Sequence, residues 1–220
     1  MRSPAHVLCT LLILVDHVLS LGQVSANDLP FRITKDTTQG DPKYLAPIFP
    51  ILPFVKYEHN PILTPNPTNN WESAYVYNPT AIVLNSTIFL LYRAQDSGRT
   101  SSIGLAWSTD GYNFTRLDDP ILYPTEPWEA TGGTEDPRIV RVNGTFYLTY
   151  TGYDLKTPQL CIATSEDLLH WTKYPPTFPG FEDVAISEQG EHVSRVNHTK
   201  STFSSPALLP LGVTFPSTWY

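Results

Sequence analysis

Sliding the 220-residue chain against itself by 58 positions brings a second copy of its motifs into register. Asn78-Pro79 falls on Asp136-Pro137, Asn85-Ser-Thr87 on Asn143-Gly-Thr145, and Leu90-Leu-Tyr92 on Leu148-Thr-Tyr150. At an offset of 57, one residue of slippage later, Ala106-Trp-Ser108 meets Ala163-Thr-Ser165. Asp110 then meets Asp167, Phe114 meets Trp171 and Thr115 meets Thr172. Matches this numerous and in one order define a repeat, so the chain must be built from like units that bury their faces against one another.

Each unit reads as four short strands. In the first they are Thr80 to Leu84, Ile88 to Arg93, Ile103 to Ser108, and a last one around Phe114 to Leu117. In the second they are Ile139 to Val142, Thr145 to Thr151, Leu160 to Ser165, and Trp171 to Lys173. Alternating and β-branched or aromatic residues mark the strands, and Asn-Ser, Asn-Gly and Asp-Gly pairs mark the turns. The chain's 21 prolines argue against a helical bundle, because a helix interior loses about 3 kcal/mol per proline. Four antiparallel strands recurring at this period predict propeller blades. The innermost strands of a propeller line a central channel with ligand sites at its mouth. Asn78 and Asp136, opening equivalent strands of adjacent blades, are expected to face it.

The residues placed there suit acid–base chemistry on a polar ligand. Glu135-Asp-Pro-Arg138 follows the flexible Gly132-Gly-Thr134, and a carboxylate at Asp136 is a candidate general acid. The competing reading is an Asx-type turn cap at Asp136 with Arg138 paired beside it. Arg93 ends an otherwise apolar strand, and Asn78, Asp96 and Arg99 surround the first unit's counterpart. Trp71-Glu72 and Trp128-Glu129 recur 57 apart. They fit either a sugar site, where apolar ring faces stack on aromatics, or packing between blades. No phosphate loop, G-x-S-x-G elbow or H-E-x-x-H helix is present, and no cofactor or protein-ligated metal is expected.

In order and spacing, Asn60-Pro-Ile-Leu63, Tyr77-Asn-Pro-Thr-Ala-Ile82, Leu91-Tyr-Arg-Ala94, Ile103-Gly-Leu-Ala106 and Glu135-Asp-Pro-Arg138 resemble glycoside hydrolase family 130. Tyr150-Thr-Gly-Tyr-Asp154, Ala163-Thr-Ser165 and His170-Trp171 continue the likeness, which runs from about residue 59 to 201. The resemblance implies a five-bladed β-propeller acting on β-mannosides, by inverting phosphorolysis or hydrolysis. It makes Asp136 the general acid, protonating the glycosidic oxygen, in the phosphorylases through a hydroxyl of the mannose itself. Asn78 and Arg93 match positions holding the mannosyl unit in the −1 subsite. Arg138, Asp96 and Trp128 are further substrate-binding candidates, and Lys200, in Asn197-His-Thr-Lys-Ser201, is a phosphate-binding one. The partners expected are a β-mannoside oligosaccharide and, for phosphorolysis, inorganic phosphate. Whether water or phosphate accepts the mannosyl unit is open at this stage, as is the oligomeric state. A catalytically incomplete carbohydrate-binding propeller fragment is the alternative.

An address precedes the repeat. Arg2, an apolar run from Val7 to Leu21 and the small-residue site Val24-Ser-Ala26 read as a secretory signal peptide over residues 1–26. Four sequons, at Asn85, Asn113, Asn143 and Asn197, fit the same extracellular compartment. Cys161 is left as the mature chain's one cysteine, in an apolar strand where a buried inert thiol is expected. With 14 basic against 21 acidic residues, the net charge of −7 disfavours nucleic acid and anionic membrane surfaces as partners. Residues 27–220 amount to little more than three repeat lengths, and the likeness ends after Ser201. The expected fold is therefore all-β: a partial five-bladed propeller with about two full blades and the start of a third.

Overall fold

The computed structural model describes residues 24–49 and 55–178, and over them the repeat becomes two four-stranded antiparallel blades. The first comprises β1 (Tyr75–Leu84), β2 (Thr87–Gln95), β3 (Ser101–Ser108) and β4 (Thr115–Arg116). The second comprises β5 (Gly133–Val142), β6 (Thr145–Tyr153), β7 (Pro158–Ser165) and β8 (Thr172–Lys173). Neighbouring strands within each blade pair antiparallel in chain order, and a single parallel bridge, Ser101 with Gly133, joins the blades. The architecture is the all-β, partial-propeller one that the repeat predicts. Most of the presumed leader, the start of a third blade, Asn197 and Lys200 lie outside the described residues.

Alternation along the strands explains the core. Leu84, Phe89, Leu91, Ile103 and Leu105 of the first blade are fully buried in one cluster with Phe146, Leu148 and Tyr150 of the second. Each such side chain contributes about 1.5–3 kcal/mol by leaving water. All eight residues of β3 are buried, so that strand reads as a continuous rather than an alternating run. Cys161 belongs to the same core, and burial pushes its thiol up to about 11. It therefore stays protonated at neutral pH.

The hairpin tips follow the turn chemistry. Asn85 and Ser86 both carry positive φ, as do Asn143 and Gly144, which is the condition of the primed two-residue turn. A segment before the blades crosses these tips. Asn85 N–H donates to the Thr38 carbonyl at 2.9 Å, and the Arg141 guanidinium donates to the carbonyls of Thr34, Lys35 and Thr37. Val24 N–H reaches the Asp118 carboxylate at 2.7 Å, and Ser25 caps a 3₁₀ turn over Ala26–Asp28.

β1 and β5 begin five or more residues earlier than the sequence pattern predicts. Pairing in β1 steps from Tyr77 opposite Arg93 to Thr80 opposite Leu91, leaving Asn78-Pro79 as a bulge. β5 does the same between Glu135 and Arg138, leaving Asp136-Pro137. A bulge absorbs the proline, whose missing N–H costs no ladder bond at an unpaired position. Asn78 and Asp136 thus do not open their strands; they sit at kinks inside them.

The bridge between the blades requires glycine. Gly133 has φ +104°, and a Cβ there would lie 2.1 Å from the Ser101 carbonyl oxygen. Gly133→Ala is expected to cost on the order of 3 kcal/mol, through backbone strain and overpacking together. Gly98→Ala, whose new methyl meets the Asp96 side chain at 3.3 Å, is the control with little effect. Denaturation midpoints that drop equally in both variants would remove Gly133 from this role.

Candidate functional site

The two bulges lie side by side. β1 packs beside β5, and Asn78 Nδ2 donates to Asp136 Oδ1 at 2.7 Å across the blade boundary. Both residues have left-handed backbone, φ 47° and 50°, a conformation that asparagine and aspartate tolerate better than other side chains. The kink turns two polar side chains, 58 residues apart in sequence, towards one point.

Arg93, near the end of β2, completes the cluster. Its Nη1 donates to Asp136 Oδ1 at 3.0 Å and its Nη2 to Glu135 Oε1 at 2.5 Å. One guanidinium thus bridges two adjacent carboxylates, which suits its planar fork. Its Nε donates to Ser101 Oγ at 3.0 Å, and it lies over the Tyr77 ring at 4.7 Å. Ser101 Oγ in turn donates to Glu135 Oε1 at 3.1 Å and accepts from Gln95 Nε2 at 3.0 Å. The arginine and the two acids keep 13–15% of their side-chain surface exposed, enough to meet a ligand while the rest is held. Asp136 Oδ2 has no hydrogen-bond partner among the described residues.

Of the residues singled out in the sequence, Asn78, Arg93 and Asp136 are brought together. Arg138 follows two residues after Asp136 on β5 and donates to the Pro137 carbonyl at 2.8 Å. Asp96 shapes the β2–β3 loop at the same end of the blade, accepting from Thr100 N–H at 2.9 Å. Trp128 stands apart from this cluster. It packs partly buried on the main core, with Cδ1 2.9 Å from where a Gly152 Cβ would be. Its neighbour Glu129 and the counterpart Glu72 are fully buried and paired with cations, which puts both Trp-Glu pairs within the blade packing. Glu135, Ser101, Gln95 and Tyr77 were not candidates from sequence. Glu135 and Tyr77 flank the bulge residues, a usable signal, whereas Ser101 reaches Glu135 from 34 residues away and leaves none.

Glu135 has a perturbed acid–base equilibrium. Burial raises its pKa, with Asp136's charge acting in the same direction, and the Arg93 charge and the Ser101 hydrogen bond offset this only in part. Between the ordinary value of 4.5 and the raised one, the folded state binds more protons than the unfolded chain. Stability from this group therefore falls as pH rises through that interval. Glu135→Gln removes the dependence, so its stability relative to the parent should improve as pH is raised from about 4 towards neutrality. Parallel stability–pH curves for the two proteins would contradict it.

Comparison with known proteins covers the residues of this site. Residues 50–202 match the model of glycoside hydrolase family 130, described as beta-1,4-mannooligosaccharide phosphorylase. A 1,2-beta-oligomannan phosphorylase of a Thermoanaerobacter species is 40% identical over 123 residues, 51% of this chain and 41% of that protein. A solved glycosyl hydrolase from Bacteroides ovatus superposes with a TM-score of 0.53 at 36% identity, covering 56% of this chain and 40% of the other. A solved representative of the mannoside phosphorylases, whose family contains glycoside hydrolases targeting β-1,2-mannosidic linkages in Candida mannan, gives 0.53 at 37% identity, again over 56% and 40%. The chain thus spans about two fifths of the length of the proteins it matches.

Proposed function

The chain belongs to glycoside hydrolase family 130, and from that membership we propose that it cleaves β-mannosidic linkages by inversion, with Asp136 as general acid. One observation supports this most: Asp136 stands at a strained bulge beside its repeat counterpart Asn78, Oδ1 held by Asn78 and Arg93 and Oδ2 left for a ligand. Strained backbone held in place by its surroundings is found at sites of chemistry.

In this reading Oδ2 of the protonated Asp136 hands its proton towards the glycosidic oxygen, directly or through a hydroxyl of the mannosyl unit. The bond from the anomeric carbon to that oxygen breaks as water or inorganic phosphate attacks the carbon from the opposite face. Asn78 and Arg93 orient the mannosyl unit, Arg138 and Asp96 border it, and Lys200 is the candidate phosphate contact. Water as nucleophile requires a base, and inverting enzymes place two carboxyl groups about 6.5–9.5 Å apart for it. Phosphate needs none. The apolar run from Val7 to Leu21 and the site at Ala26 direct the chain to the secretory pathway in this reading, a compartment where a released sugar phosphate is hard to recover.

The test supplies β-1,2- and β-1,4-mannobiose with and without phosphate. Turnover independent of phosphate marks a hydrolase, and turnover that requires it, with a mannosyl phosphate as product, marks a phosphorylase. Saturable mannobiose binding without turnover of either substrate would replace the enzyme reading with that of a carbohydrate-binding propeller fragment.

A further inference from the structure

The three sequons among the described residues have a common address in the fold. β1 runs from the Asn78 bulge to its tip at Asn85, and β5 from the Asp136 bulge to its tip at Asn143, seven residues later in each case. Because β3 is parallel to β1, its far end, and the turn carrying Asn113 before β4, lie at that same end. The parallel bridge between Ser101 and Gly133, with Asn78 against Asp136, aligns the two blades. Asn85, Asn113 and Asn143 therefore stand on one end of the blades, roughly 20 Å from the Asp136 cluster at about 3.3 Å per strand residue.

Each of the three is exposed, and the side chains of Asn85 and Asn143 make no hydrogen bond among the described residues. Positive φ explains asparagine at those two turns without any modification. It does not explain Asn113, which has no such backbone and whose counterpart in the second blade is His170. Asn113 Nδ2 donates to Asp110 Oδ2 at 2.8 Å, and a glycosylated amide keeps one N–H with which to do so.

We propose that Asn85, Asn113 and Asn143 carry N-linked glycans, which sheathe the end of the described blades opposite the Asp136 cluster. The inference rests on the secretory reading above. In the transfer, the amide nitrogen attacks the anomeric carbon of a lipid-pyrophosphate-linked oligosaccharide. The nitrogen–carbon bond forms, the carbon–oxygen bond to pyrophosphate breaks, the lipid pyrophosphate leaves, and the amide gives up one proton.

The experiment expresses the full chain in a eukaryotic secretory host and maps occupancy by peptide mass spectrometry after enzymatic release of glycans. All three sites are expected to be occupied. Hydroxyl-radical labelling then compares glycosylated with deglycosylated protein, both as the Asn197→Gln variant, so that only the three sites contribute. Exposed Tyr112 and Tyr147, near the tips, should label at least about twofold less in the glycosylated form, and exposed Tyr75, at the site end, should not change. Shielding of Tyr75 overturns the one-sided placement. A second expression replaces residues 1–26 with the leader of a known secreted protein. Occupancy with that leader alone supports the three sites and overturns the native address. No occupancy with either leader overturns the proposal.

Discussion

Asp136→Asn is expected to lower mannoside turnover by about 10²–10⁴-fold, the usual contribution of a positioned general acid, while leaving the fold and sugar binding in place. The substitution isolates the proton. Asparagine tolerates the left-handed backbone at φ 50°, and its amide oxygen still accepts from Asn78 Nδ2 and Arg93 Nη1. Only the transferable proton and the negative charge on the acid are lost. Asp136→Ala is the poorer probe, because it also removes both hydrogen bonds and places a residue without a local polar partner at a strained φ. Mannobiose turnover and mannobiose binding should be measured on the same preparation. An Asn variant that keeps more than about a tenth of parental turnover removes Asp136 from the role of acid. One that loses turnover and binding together makes it a binding group instead.

The parts of this site that sequence revealed are the parts the fold repeats. Asn78 and Asp136 were found because two blades use one bulge, and Tyr92 and Tyr150 matched because each sits opposite it. The early starts of β1 and β5 were hidden by Pro79 and Pro137, which read as strand breakers until the bulge is seen to absorb them. Ser101 and Glu135 meet through the blade junction, a contact that no local pattern encodes. The Trp-Glu pairs left two readings open because the partners that fix them, Arg116 and Lys173, lie 44 residues downstream in two-residue strands. The segment from Thr34 to Gly40, which pins both hairpin tips, has neither strand alternation nor a motif, and its hydrogen bonds run mostly through backbone carbonyls that any sequence supplies.

Glu129→Ala should produce the largest loss of stability outside the apolar core, about 3–5 kcal/mol, the range for leaving a buried charge unpaired. Glu129 is fully buried on a 3₁₀ turn over Pro127–Glu129, four residues before β5. Its carboxylate accepts from Tyr150 Oη on β6 at 2.7 Å, Lys173 Nζ on β8 at 2.6 Å, and the Thr125 and Glu126 amides at 2.9 and 3.1 Å. Glu72 makes the same connection in the first blade, to Tyr92 at 2.9 Å and Arg116 at 2.8 Å. Each carboxylate therefore ties the approach to the inner strand to the second strand and to the two-residue outer strand. Burial raises both tyrosine pKa values, and the neighbouring carboxylates raise them further, so each phenol keeps the proton it donates. If lost attraction alone set the cost, the double replacement would be no cheaper than a single one. Desolvation argues the reverse: Glu129→Met with Lys173→Met leaves no charge behind and should cost clearly less than Glu129→Ala alone. A double mutant at least as unstable as Glu129→Ala would show that lost contacts rather than the unpaired charge set the cost. In either case the damage begins seven residues before Asp136, so a Glu129 variant that still folds should lose alignment at the Asp136 bulge before it loses the blade.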